Sequence, residues 1–136
     1  MTKRFLAFSG FSGAMAVALG AMGAHYLKQL LEAGYITSAN LQAFETGVKY
    51  QIYHTIALLI IGLLSEKFNS KTLQKAGFCF MIGIVLFSGS LYLLSTASLI
   101  GLTKTHWLGP ITPIGGLFFI IGWILLGLSG IGKANS

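Results

Sequence analysis

A polar run from Lys49 to Thr55 contains the residue types that could bind a ligand within an otherwise apolar chain. It reads Lys-Tyr-Gln-Ile-Tyr-His-Thr, and on a helix Tyr50 and His54 lie one turn apart on the same face. An imidazole can hydrogen-bond a ligand, ligate a metal or exchange a proton, and phenols and amides can hydrogen-bond a carbonyl. The run predicts a polar site at His54, for which the structural alternative is a neutral histidine hydrogen-bonded to Tyr50 or to a serine of another helix.

Two serines and a second histidine extend this candidate site. Ser88 and Ser90 flank a glycine in a later apolar segment, and His25 ends the first apolar segment. Polar side chains at membrane depth normally face other helices or a wet cavity. We predict one polar pocket that holds a lipid or a quinone-like molecule, or fixes helix register, formed by His25, Tyr50, Gln51, His54, Ser88 and Ser90.

The remaining chemistry-bearing residues argue against an enzyme. The three acids, Glu32, Glu45 and Glu66, lie at or outside the ends of the apolar runs, so no buried carboxylate orients a serine–histidine pair or relays protons. The histidines lack the spacing of a metal motif, and Cys79 is the single cysteine. We therefore predict no metal and no cofactor; a redox subunit with histidine ligands is the least favoured alternative.

The composition identifies lipid as the solvent of this chain. The apolar fraction is 54% and the charged fraction only 9%, whereas a soluble domain carries about 25% charged residues. The net charge of +6 is distributed over segment ends rather than gathered in a patch. We therefore predict the lipid bilayer as the partner and no nucleic acid.

Four apolar segments have lengths suited to crossing a bilayer, which takes about 20 helical residues. They cover residues 5–24, 48–65, 76–99 and 113–132. The second is the weakest, because Lys49, Gln51 and His54 interrupt its start. The sequence predicts an all-α membrane protein, a bundle of four transmembrane helices in a single domain over residues 1–136.

The distribution of basic residues predicts the orientation. Cytoplasmic loops carry the excess of Lys and Arg in membrane proteins. Six such residues fall on one side and three on the other, which places both termini in the cytoplasm and the polar pocket near the outer leaflet. The six are Lys3, Arg4, Lys67, Lys71, Lys75 and Lys133, against Lys28, Lys49 and Lys104.

The connections contain helix-ending and helix-starting signals. Gly34 is suited to a left-handed C-cap, and Thr37 or Ser38 can cap a new helix. Apolar residues then recur at helical spacing, which predicts a short amphipathic outer segment leading into the second span. Before the fourth span, Thr112 can act as the cap with Pro113 at the first helical position.

Small residues recur at helical spacing in three of the spans. In lipid, helices associate where small residues let backbones approach closely. We predict helix packing at Ser9, Gly13 and Gly20 in the first span, Gly83 in the third, and Gly115 and Gly122 in the fourth. The same faces allow a homo-oligomer.

Four ordered motifs resemble the small membrane family known as domain of unknown function 423, which includes transmembrane protein 256. They are Gly-Ala-Met-Gly-Ala-His at 20–25, Thr-Gly-Val-Lys-Tyr-Gln-Ile-Tyr-His at 46–54, Gly-Ile-Val-Leu-Phe-Ser-Gly-Ser-Leu-Tyr at 83–92, and Thr-Pro-Ile-Gly-Gly at 112–116 followed by Gly122 and Trp123. The resemblance implies a four-helix protein of a bacterial cytoplasmic membrane and supplies no catalytic residues.

The expected function is that of a non-enzymatic, multi-pass membrane protein with a polar His/Tyr/Gln pocket for a lipid or quinone-like ligand. The alternative is an oligomeric channel or transporter for an ion or small solute, in which Ser88, Ser90 and Tyr92 line a path completed by a second subunit.

Overall fold

The computed structural model describes residues 2–68 and 70–131, and in these ranges the chain forms helices and connecting turns without a β-strand. Four helices are long and apolar enough to span a membrane: α1 (Thr2–Glu32), α2 (Ser38–Lys67), α3 (Lys71–Thr96) and α4 (Ile111–Ile131). The prediction of an all-α protein with four membrane-spanning helices is confirmed. The predicted inclusion of residue 132 in the fourth span, and the charge of Lys133, lie outside the described residues. The cytoplasmic location of the termini and the single-domain assignment stay predictions.

The end of α1 follows the predicted capping chemistry. Gly34 has φ +79°, which an L side chain rarely adopts. The amide of Tyr35 donates to the carbonyl of Leu30 at 2.9 Å, and the amide of Gly34 donates to the carbonyl of Leu31 at 3.0 Å. This pair of bonds is the Schellman motif, so the predicted C-cap at Gly34 is confirmed.

The start of α2 also follows prediction. Thr37 is the N-cap: its hydroxyl accepts from the amide of Asn40 at 3.2 Å, while the Asn40 side chain accepts from the amide of Thr37 at 2.9 Å. Helix α2 then runs without a break from Ser38 to Lys67. The segment predicted to be amphipathic is therefore the first part of the second spanning helix.

The predicted cap of α4 is wrong. The helix begins at Ile111, one residue before Thr112, so Thr112 lies within the first turn. Its hydroxyl hydrogen-bonds that of Ser90 on α3 at 2.6 Å. The Thr112 hydroxyl therefore bonds another helix instead of capping α4, because α3 places the Ser90 hydroxyl within hydrogen-bond distance.

Helices α2 and α3 form the centre of the bundle, with α1 packed mainly against α2 and α4 mainly against α3. The larger apolar core gathers side chains from all four helices, among them Phe5, Leu58, Phe80 and Phe119. A smaller cluster of Leu27, Ile36 and Phe44 lies near the turn between α1 and α2. Many large apolar side chains are exposed on the outward faces, among them Phe11, Leu63 and Ile124, as expected of helices that contact lipid.

Helices α3 and α4 meet by inserting aromatic rings over glycines. A side chain added at Gly83 would collide with the ring of Phe119, and one added at Gly122 would come within 2.6 Å of the ring of Phe80. At Gly115 an added Cβ would collide with the backbone of Phe87. The structure thus places Gly83, Gly115 and Gly122 at close helix approaches.

Helices α1 and α2 meet less tightly. An added Cβ at Gly13 would lie 3.7 Å from Thr55, and one at Gly20 would lie 3.5 Å from Val48, which are ordinary van der Waals distances. Ser9 is buried on the same side of α1, and its hydroxyl has no hydrogen-bond partner in residues 2–68 and 70–131. The three small residues of α1 therefore line a looser helix contact than the glycines of α3 and α4 do.

Two π-helical turns interrupt the regular helices, at Gly23–Leu27 in α1 and Ile84–Ser88 in α3. Each π turn contains one residue more than an α turn, so side chains beyond it rotate relative to a continuous α-helix. In α1, Gly23 and Leu27 are buried while Ala24 and His25 are exposed. Sequence spacing read at 3.6 residues per turn misses this change of face.

Candidate functional site

His54 lies on the buried face of α2, and both its ring nitrogens have partners. The indole N–H of Trp123 on α4 donates to Nε2 of His54 at 3.1 Å. Nε2 is therefore an acceptor, which assigns the proton to Nδ1. Nδ1 lies 2.7 Å from the backbone carbonyl of Tyr50, to which it donates. His54 is a neutral histidine that links α2 to α4.

Aromatic rings enclose this histidine. The ring of Phe119 is stacked on it, with centroids 3.5 Å apart and an angle of 8° between planes. Phe80 meets it edge-on at 5.3 Å, and Tyr50 stacks at 5.9 Å. His54 is 4% exposed, and both its ring nitrogens are hydrogen-bonded within the bundle.

A cleft of about 570 Å³ between α2 and α4 adjoins this cluster. We call it the aromatic groove. Tyr53 and Trp123 are about half exposed at its margin, so a molecule in the membrane can enter from the side. Ligand pockets in proteins commonly have volumes of about 300 to 1,000 Å³. Its lining consists of Tyr50, Tyr53, His54, Phe87, Gly116, Phe119, Ile120 and Trp123.

The hydroxyls of Tyr50 and Tyr53 are the unused polar groups of the aromatic groove. Among the described residues, neither phenol has a hydrogen-bond partner. Their rings lie 6.2 Å apart, and Tyr50 also lies 4.7 Å from Phe87. A phenol donates one hydrogen bond. The mostly aromatic lining of the groove therefore includes two phenols whose O–H groups are not used by another described residue.

Gln51 faces a different part of the bundle. It is fully buried, and its amide donates to the backbone carbonyl of Ser12 on α1 at 2.9 Å. Its carbonyl oxygen accepts from the hydroxyl of Tyr92 on α3 at 2.6 Å. The hydroxyls of Ser12 and Thr55 bond at 2.7 Å. We call Ser12, Gln51, Thr55 and Tyr92 the polar seam, which joins α1, α2 and α3.

The six predicted pocket residues are thus divided among several places. Tyr50 and His54 line the aromatic groove, whereas Gln51 belongs to the polar seam. Ser88 donates to the backbone carbonyl of Gly47 at 2.7 Å, and Ser90 bonds Thr112. His25 is exposed on the π turn of α1. The structure does not bring all six into a single pocket.

Several residues around these two sites were absent from the prediction. Phe119 and Trp123 complete the histidine cluster, and Ser12 completes the polar seam. Trp123 and Phe119 resemble ordinary lipid-facing aromatics in an apolar run, so no local pattern marks them. Ser12 lies three residues after Ser9 on one face of α1, a spacing that could have indicated a shared helix contact. In the described part of the chain, no three residues of the types His, Cys, Asp and Glu gather as metal ligands do.

Comparison with known proteins relates this chain to bacterial membrane proteins. The family model for Protein of unknown function (DUF423) matches residues 19–116. The UPF0382 membrane protein YwdK of Bacillus subtilis is 41% identical over 125 residues, covering 91% of this chain and 93% of the relative. SAB0533 of Staphylococcus aureus is 44% identical over 124 residues (91% and 92%), and a Haemophilus influenzae protein is 41% identical over 126 residues (93% and 92%).

No solved structure matches this chain significantly. The relatives are named as membrane proteins of bacteria, and the four spanning helices agree with a multi-pass membrane location. From the matched family model and the extent of these relatives, this chain belongs to the DUF423 family of membrane proteins.

Proposed function

We propose that this membrane protein binds a neutral lipid-like or quinone-like molecule in the aromatic groove. The observation that carries this proposal is a cleft lined by aromatic rings, two of them phenols whose hydroxyls have no hydrogen-bond partner among the described residues. An unpaired polar group in hydrocarbon is costly, so a bound molecule that accepts from Tyr50 or Tyr53 gains free energy there. Of the residues that the structure describes, none with a charged side chain lines the groove, which favours a neutral ligand.

This proposal narrows the predicted polar pocket to two of its six residues, Tyr50 and His54. His54 orients the lining without contacting the ligand through a free nitrogen, because Trp123 and the carbonyl of Tyr50 occupy both ring atoms. Gln51, Ser88 and Ser90 act in helix association in this account. His25 has no role in the groove.

A channel or transporter is less well supported. A path for a polar solute needs polar groups that are free to exchange partners along its length. Ser88, Ser90 and Tyr92 instead donate to, or share hydrogen bonds with, neighbouring helices. Because these three side chains already hydrogen-bond within one chain, we favour the binding of a ligand over the conduction of a solute.

A groove-filling substitution tests the proposal. An added Cβ at Gly116 would lie 3.7 Å from the ring of Phe87, so Gly116→Leu enters the cleft without a backbone collision. Gly127→Leu is the matched control, because Gly127 is an exposed glycine of the same helix whose added Cβ meets nothing. The probe is a photoreactive neutral isoprenoid quinone analogue, added to each purified protein in lipid nanodiscs.

We expect saturable labelling of the native protein and of the Gly127→Leu variant. We expect the folded Gly116→Leu variant to lose this labelling. Circular dichroism and monodispersity establish that each variant is folded. Equal saturable labelling of both variants, or labelling that never saturates, would contradict the proposal.

A further inference from the structure

We infer that the ligand of the aromatic groove is a flat, neutral ring that carries a carbonyl oxygen, with the oxidised head of a quinone as its chemical type. The inference rests on the proposed function, because it concerns the same groove. It depends on which hydrogen-bonding atoms are already used and on the shape of the walls.

The hydrogen bonds within the lining decide what the groove can offer a ligand. The strongest acceptor in it, Nε2 of His54, receives the indole N–H of Trp123. The donor Nδ1–H of His54 is used by the Tyr50 carbonyl. The hydroxyls of Tyr50 and Tyr53 remain, and they are good donors. A carbonyl oxygen, which only accepts, is the complementary ligand group.

The same bonds separate a quinone from its reduced quinol. A quinol would bring two O–H donors into the groove and would need acceptors there. With Nε2 of His54 occupied, the available acceptors are phenol oxygens, whose lone pairs are partly delocalised into the ring. The oxidised form therefore fits the groove better than the reduced form.

The walls favour a flat ring. Phe87, Phe119 and Trp123 line the groove together with the two tyrosines, and aromatic side chains attract one another and flat ligands through stacked and edge-on contacts. A cation would also be attracted to aromatic faces. The hydrocarbon interior opposes a charge, however, and no carboxylate lines the groove to balance one.

A phospholipid ester is the competing source of a carbonyl oxygen. Tyr50 and Tyr53 lie two and five residues after the start of the second predicted span, which is about 3 to 8 Å along a helix. Ester carbonyls of phospholipids, which lie beside the headgroups at the membrane border, have a comparable depth. The aromatic walls distinguish the two ligands, because they stack on a flat ring and gain less from an ester.

Tryptophan fluorescence gives a direct test. The chain has two tryptophans, so Trp107→Phe leaves Trp123, at the groove margin, as the single emitter. In nanodiscs this protein is titrated with a short-chain 1,4-benzoquinone, which quenches indole fluorescence on contact. Competition then measures three further probes: the reduced quinol, an alkylbenzene with the same substituents but no carbonyl, and a fatty-acid methyl ester.

We expect saturable quenching by the quinone and weaker competition by the other three probes. Tyr50→Phe and Tyr53→Phe keep the rings and remove the hydroxyls. A neutral hydrogen bond contributes about 1 kcal/mol, so the substitution that removes the bonded hydroxyl should weaken quinone binding about fivefold and leave alkylbenzene competition unchanged. Tyr26→Phe, an exposed tyrosine on α1, is the control and should change neither.

The contradicting results distinguish the two proposals. The carbonyl inference would be overturned if alkylbenzene and quinone competed equally, if Gly116→Leu abolished the binding of both, and if neither tyrosine substitution changed it. The groove would then remain a binding site. If the methyl ester competed as strongly as the quinone, the carbonyl would be assigned to a lipid ester, and the inference of a ring-shaped ligand would be overturned. Quenching that persists in Gly116→Leu would overturn both proposals.

Discussion

The two helix pairs at the edges of this bundle are held together by different physical means. Helix α1 is joined to α2 by the polar seam, in which Ser12, Gln51 and Thr55 hydrogen-bond across the contact. Helix α4 is joined to α3 mainly by aromatic rings lying over Gly83 and Gly122. Because lipid removes the hydrophobic drive for helix pairing, hydrogen bonds and close packing are the two remaining routes. The α1–α2 pair relies more on hydrogen bonds, whereas the α3–α4 pair relies more on packing over glycines and adds the bond between Ser90 and Thr112.

A cleft of about 320 Å³ adjoins Ser12, Gln51 and Tyr92 of the polar seam, and the aromatic groove lies on the α4 side. The contrast explains which of the two clefts offers hydrogen-bonding groups to a ligand. At the polar seam the buried donors and acceptors satisfy one another, so a ligand has little to gain there. At the α4 side, ring packing closes the contact with α3 but leaves the cleft toward α2, where the hydroxyls of Tyr50 and Tyr53 have no hydrogen-bond partner within the described part of the chain. The hydrogen bond from Trp123 to His54 is the polar link across this cleft.

The largest expected effect is at the tightest approach in the glycine-packed pair. Gly115→Leu places a side chain against the backbone of Phe87, which cannot move aside as a flexible side chain can. We expect a loss of about 3 kcal/mol in the free energy of unfolding, the upper part of the range for overpacking. Steric trapping or reversible denaturation in mixed micelles measures this loss.

Gly20→Leu is the matched substitution on the α1 side, where Val48 can yield to the new side chain. We expect it to lower the free energy of unfolding less than Gly115→Leu does. Equal losses would mean that the two contacts do not differ in tightness.

The next effect concerns the polar seam. Gln51→Leu removes the bonds to Ser12 and Tyr92 and leaves the Tyr92 hydroxyl buried without its acceptor. The expected loss is about 1 to 2 kcal/mol in the free energy of unfolding. Gln42→Leu, an exposed position on the same helix, should change the free energy by less. A stable Gln51→Leu variant would show that packing alone holds α1.

The smallest effect is the coupling between Ser12 and Thr55. Their hydroxyls bond at 2.7 Å, and such bonds within membranes average about 0.6 kcal/mol in double-mutant cycles. A cycle of Ser12→Ala and Thr55→Val should give a coupling of that size. If the double variant lost only the sum of the two single-variant losses, the coupling would be zero and this bond would contribute nothing to the free energy of unfolding.

The sequence predicted those parts of the fold that depend on neighbours along the chain. The caps at Gly34 and Thr37, and the four spanning helices, follow from local hydrogen bonding and from hydropathy. The cap predicted at Thr112 was wrong because its hydroxyl hydrogen-bonds that of Ser90, which lies 22 residues away in the sequence.

The division of the predicted pocket could not be derived from the sequence. Gln51 and His54 are three residues apart on one helix, yet they contact α1 and α4 respectively. The partners of each depend on how the helices pack, and the π turn at Ile84–Ser88 changes the face that α3 presents to α2. Neither feature leaves a signal at regular helical spacing.

A high-resolution cryo-EM map of the protein in lipid nanodiscs, supplied with the short-chain benzoquinone, tests the central proposal most directly. We predict a discrete, flat density in the aromatic groove, with an oxygen within hydrogen-bond distance of Tyr50 or Tyr53 and with His54 still bonded to Trp123. A groove holding only continuous acyl-chain density, or one closed by the two tyrosines bonding elsewhere, would contradict the account.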